Sequence, residues 1–162
     1  MSAPRFDTTL TPAWEVTTGT LVQWEDGGHH MIALKTHRVG KEYVHHYLVP
    51  LLPRPALPAL VYVDPDDMLS ALMFQFRAEP GPSRDAPATP GDLFTTRQGT
   101  FLKVIEDPKS QKAFAFIDIA TCHMFRRRER GVTAVHGDWT ALAEGADGAC
   151  PLTQLLGEKP RS

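Results

Sequence analysis

The 162-residue chain predicts an α+β fold that is predominantly β: two tandem antiparallel units, each a strand meander closed by one helix, forming small barrel-like bodies or one pseudo-symmetric sheet structure. Three observations carry this expectation. Runs rich in Val, Thr, Ile and aromatic residues alternate with Gly, Pro and Asp clusters, which is how strands and turns read. Asp64-Pro65-Asp66-Asp67 supplies a capping Asp, a proline suited to a first helical position and acids for a first turn, ahead of an apolar stripe. Finally, stretches opening at Thr11 and Thr89 share an order of landmarks: Thr-Pro, Thr-Thr, Gly-Thr, an apolar strand and an acidic pair.

These landmarks divide the chain into an N-terminal tail (1–10), a first unit (11–77), a Pro/Gly-rich linker (78–91), a second unit (92–145) and a C-terminal tail (146–162). The tail can also add an edge strand. Residues 14–24 favour a pleated backbone and end at the Asp26-Gly27-Gly28 turn. His30–Val39 and Glu42–Leu52 read as a hairpin around Gly40-Lys41, a register that sets Val39 opposite Glu42, His37 opposite Val44 and Lys35 opposite His46. The run Pro50–Pro58 reads as extended connection, because each proline removes a ladder donor. Val61-Tyr62-Val63 follows as a short strand. Met68, Leu69, Leu72, Met73 and Phe76 then fall at helical spacing, which predicts a helix ending near Arg77.

In the second unit, strands are expected at 92–96, 100–106, 112–119 and 122–130, with turns at 97–99 and 107–110. Val135-His136-Gly137-Asp138, followed by Trp139, Ala141 and Leu142, echoes the first helix start and predicts a second, shorter helix.

Composition narrows the function classes. Hydrophobic residues make up 42% and charged residues 22%, which is ordinary globular usage, and the net charge of −2 gives no global attraction to nucleic acid or an anionic membrane. The two cysteines, Cys122 and Cys150, are isolated, so neither a disulfide framework nor a thiolate zinc site is expected. The N-terminus lacks the basic and apolar regions of a signal peptide, and the longest apolar run is interrupted by prolines and Arg54. The expectation is a cytoplasmic protein without a membrane partner.

Two groups of residues could carry chemistry. Cys122–Arg130, CHMFRRRER, read as a strand places Arg126, Arg128 and Arg130 on one face as an anion rail. Guanidinium groups match carboxylate and phosphate alike. The alternative is a solvated edge whose charges prevent aggregation. His29, His30, His37, His45 and His46 crowd the hairpin, where His37 and His46 share a face and are candidate metal ligands, with Lys35 or Glu42 beside them. Ordinary exposed strand histidines are the plainer account. Asp64, Asp66 and Asp67 are explained by capping, and Cys122 and His123 point to opposite faces of a strand, so they do not form a nucleophile and base pair. No P-loop, G-x-G-x-x-G, G-x-S-x-G or H-E-x-x-H motif occurs, and no cofactor is expected.

The sequence therefore leads to a non-catalytic binding or assembly module whose arginine strand contacts an acidic protein surface, a nucleotide or a nucleic-acid backbone. A metal-dependent enzyme using His37 and His46 is the second reading. A structural homo-oligomer subunit, with Trp14, Trp24 and Trp139 as core or interface anchors, is the third.

Overall fold

The computed structural model describes residues 8–26, 29–110, 112–126 and 129–156. They form two antiparallel sheets that share one apolar core and do not close into a barrel. In chain order the strands are β1 (Thr8–Pro12), β2 (Thr20–Asp26), β3 (His29–Val39), β4 (Val44–Leu52), β5 (Val61–Val63), β6 (Met68–Pro80), β7 (Leu93–Thr96), β8 (Gly99–Ile105), β9 (Phe114–Asp118), β10 (Met124–Phe125), β11 (Ala134–His136), β12 (Trp139–Gly145) and β13 (Gly148–Pro151). A short 3-10 helix follows at Leu152–Leu156. The first sheet runs β13-β12-β6-β2-β3-β4-β5, with β1 also on β6; the second runs β10-β9-β8-β7-β11. No helix among the described residues is long and apolar enough to cross a membrane.

The expected helix from Met68 to Arg77 is instead part of a thirteen-residue strand, β6, and this corrects the α+β assignment. Leu72 and Phe76 both point into the core, and a separation of four residues satisfies a helical face and a strand face equally. What decides is pairing. β2 lies along one side of β6, while β1 and then β12 follow one another along the other side. The remaining members of the supposed stripe do not share the core face: Met73 is 83% exposed, and Leu69 packs on a different cluster. Asp64–Asp67 is a tight turn into β6, with Asp67 N–H donating to Asp64 O at 3.0 Å and Asp64 N–H donating to the Asp67 carboxylate at 2.9 Å. The second expected helix is likewise two strands, β11 and β12.

The tandem repeat is also corrected. Gly19 and Gly99 do perform the same local task, each entering a strand with positive φ (97° and 141°). The strands they open have different surroundings, however: β2 sits between β3 and β6, whereas β8 sits between β7 and β9 of the other sheet. β6 runs through the position expected to end the first unit, and β12 and β13 return from the second half to pair in the first sheet.

Alternation along the strands gives each sheet an inner and an outer face. Leu21, Ile32, Leu34, Val49 and Phe76 of the first sheet meet Leu93, Leu102, Val104, Ala115 and Ile117 of the second in the shared core. Burying a side chain of this size stabilises by about 1.5–3 kcal/mol. Each outer face has its own smaller cluster. Ala13 and Val16 cover Val22, Ala33, Leu48 and Val63 on the first sheet, while Phe94, Phe101, Phe116 and Val135 pack together on the second. The segment between β1 and β2 therefore lies over the outer face of β3 and β4. It is pinned by Gly19 N–H donating to Lys35 O at 2.9 Å and Phe76 N–H donating to Gly19 O at 2.8 Å.

The β3–β4 hairpin is displaced by two residues from the expected register. Gly40 N–H donates to Tyr43 O at 2.9 Å, closing a four-residue loop instead of a two-residue turn. Val39 thus faces Val44, His37 faces His46, and Lys35 faces Leu48. A shift of two preserves which face each side chain occupies, so the sharing of a face by His37 and His46 survives the correction.

Candidate functional site

The outer face of β3 and β4 carries a cluster of basic side chains. From Ala33 the alternate residues of β3 are Lys35 and His37, and His46 lies directly across from His37 on β4. The covering segment contributes Trp14, Glu15 and Thr18, and the turn after β9 contributes Thr121 and His123. Together these residues border an open cavity of about 600 Å³. Lys35 is 1% exposed, and its Nζ donates to His46 Nδ1 at 2.9 Å. Thr18 Oγ1 is bonded to His37 Nδ1. The His37 ring lies 6.4 Å from that of His46 and 5.5 Å from that of His123.

Burial sets the electrostatics of this cluster. Removal from water lowers the Lys35 ammonium from 10.5 to about 8. It also lowers His37 and His46, with the Lys35 charge a secondary cause for both. These two imidazoles are therefore neutral at pH 7. Because the Lys35 ammonium occupies Nδ1 of His46 as a donor, the proton of that neutral ring resides on Nε2. A protonated nitrogen donates to an anion and does not ligate a metal. Among the described residues, no group of three or more His, Cys, Asp or Glu side chains is placed to hold a metal ion. His45 occupies the other face, with its ring 5.1 Å from Tyr43. The side chains of His30 and Gln23 bond to each other at 3.2 Å, away from this cavity.

Among the described residues, the strand expected at 122–130 is shortened to two residues, a further correction. β10 consists of Met124 and Phe125 alone, paired with Ile117 and Phe116. Upstream, Cys122 takes a left-handed φ of 61° in a turn closed by its N–H donating to Asp118 O at 2.6 Å. Arg126 leaves the ladder and donates to Glu106 at 2.5 Å, and Arg38 of β3 donates to the same carboxylate at 2.7 Å. Arg128 lies outside the described residues. Arg130 is exposed beside Gly131.

Arg126 and Arg130 border one open depression of about 810 Å³ on the outer face of the second sheet. Arg97, from the β7–β8 turn, lies on the same depression, and Phe114 and Phe116 also line it. Glu129 is the acidic lining residue, and it accepts from Lys103 Nζ at 2.5 Å. Lys103 also sits 4.3 Å from the centre of the Phe114 ring. Arg97 and His123 reach these sites from turns distant in sequence from their partners, so no local spacing could have announced them.

Cys122 is buried, and burial raises its thiol to about 11, which leaves little thiolate at neutral pH. Its carbonyl accepts from Thr36 Oγ1 at 2.8 Å, tying the turn to β3. No protein-family model matches the chain, and no curated protein or solved structure matches it.

Proposed function

We propose that the protein is a binding or assembly module without catalysis of its own, whose arginine-bordered depression takes an acidic protein surface. The observation that supports this reading is the convergence of Arg97, Arg126 and Arg130 on one open concavity, with the neighbouring acid Glu129 already paired to Lys103. Guanidinium forks match carboxylates bidentately, and three around one depression suit several Asp or Glu side chains of a partner segment. The partly buried Phe114 offers an apolar contact at the base of the depression.

Nucleic acid shares the anionic chemistry but fits less well. The charges surround a depression and do not form a stripe, and a stacking platform needs several exposed aromatic rings. The net charge of −2 supplies no long-range steering toward a polyanion.

The test is retention of the protein on immobilised poly-glutamate and on single-stranded DNA at increasing salt. Salt-sensitive retention on poly-glutamate that is lost in the Arg97→Gln, Arg126→Gln, Arg130→Gln triple variant, with an unchanged circular dichroism spectrum, is expected. Retention that survives the triple substitution overturns the reading, and preferential retention on DNA transfers it to nucleic acid.

A further inference from the structure

Among the described residues, Lys35 differs from the other buried lysine, Lys103. Lys103, 7% exposed, is neutralised by Glu129, whereas Lys35 is more deeply buried and has no carboxylate within ion-pair distance among the described residues. An ammonium taken out of water without a counter-charge is costly, and a fold ordinarily pairs it or replaces it with an apolar side chain. Its Nζ donates to a histidine nitrogen that also has its pKa lowered. The cost has a compensating use if the counter-charge arrives from solution.

We propose that the cavity bordered by Lys35, His37, His46 and His123 is a binding site for a small oxyanion group, the phosphate or carboxylate of a small molecule. This site is separate from the arginine depression: it lies on the outer face of the opposite sheet. Lys35 supplies the charge at the base of the cavity. The hydrogen bond from Lys35 to His46 Nδ1 fixes the tautomer that turns an Nε2–H donor away from the lysine. His37 stands across from His46, oriented by Thr18, and the more exposed His123 stands at the mouth. Trp14, 57% exposed, borders the same cavity and offers a flat surface to whatever carries the anion.

The groups facing the cavity fix the sign of its pH response. Lys35, His37, His46 and His123 are basic, His45 adds a smaller influence on His46 from the other face, and Glu15 at the rim is the acidic lining residue. An anion favours protonation of the histidines, so binding takes up protons and strengthens as pH falls. At high pH the lysine loses its charge and binding fades.

Calorimetric titration with inorganic phosphate and, separately, with acetate tests the site, together with NMR titration of the imidazole resonances. Saturable binding of at least one probe is expected, tightening about tenfold or more from pH 8.5 to pH 6 and accompanied by upward shifts of the His37 and His46 titrations. Lys35→Met should abolish it. Phosphate alone identifies a phosphoryl ligand, and acetate alone a carboxyl ligand. Absence of saturable binding by both probes at millimolar concentration and pH 6 overturns the proposal, as does binding that persists in Lys35→Met. The imidazole shifts are read in the unmodified protein, so a poorly folding variant leaves that arm decisive.

Discussion

Lys35 Nζ lies 2.9 Å from His46 Nδ1 beneath the segment that joins β1 to β2, and no acid among the described residues neutralises it. That segment is the reason an alternating strand face becomes a buried basic site: without Ala13 and Val16 folded over Ala33 and Leu48, Lys35 would project into water. The relationship has direct consequences for stability.

Replacing Lys35 by methionine keeps most of the length of the side chain and removes the unpaired charge. The variant should be more stable than the parent by about 1–3 kcal/mol in urea unfolding at pH 7. A loss of stability of similar size would show that the ammonium is satisfied within the fold.

The pH dependence follows from the signs. Lys35 is lowered from 10.5 to about 8, so the unfolded chain holds more protons between these values and stability rises with pH there. Cys122 is raised from 9.0 to about 11, which has the opposite slope across its own window. Stability should therefore climb by roughly 1 kcal/mol from pH 8 to 9 and level off above it. In Cys122→Ala the climb should continue toward pH 10.5. His37 and His46, both lowered, make stability fall as pH drops below 6.5. Denaturant midpoints at intervals of half a pH unit check all three windows.

Glu106 accepts from both Arg38 of the first sheet and Arg126 at the edge of the second. Glu106→Gln should cost about 1 kcal/mol, because two charge-assisted bonds weaken at a partly exposed position. It also releases Arg126, so retention on poly-glutamate should increase. Unchanged retention would mean that Arg126 already faces the partner while paired.

The two cysteines should differ in reactivity. With Cys122 buried and its thiol raised, iodoacetamide at pH 8 should give a single adduct, located at Cys150 by peptide mass spectrometry. Modification of Cys122 at a comparable rate would require the turn after β9 to open readily.

Much of the local structure was legible from residue types. The turns at Arg97-Gln98 and Asp107–Ser110, the strands β5, β7, β8 and β9, and the shared face of His37 and His46 all follow from turn chemistry and a period of two. The misassigned helix at β6 has one physical origin. Leu72 and Phe76, four residues apart, fit either a helix or a strand, and the strong helix-start composition of Asp64–Asp67 serves equally well as a turn. Only the flanking strands β1, β2 and β12, which supply hydrogen-bond partners along β6, decide between them.

The sequence by itself determined a β-rich chain with basic residues concentrated in two places. Tertiary structure decided which of those residues meet. Arg97 joins Arg126 and Arg130 because the pairing of β7, β8, β9 and β10 in one sheet brings their turns together, and His123 joins His37 because the two sheets pack through a common core. It also decided that Lys35 is buried, since burial of a strand side chain depends on whether a distant segment covers its face, and no residue's immediate neighbours in sequence specify that.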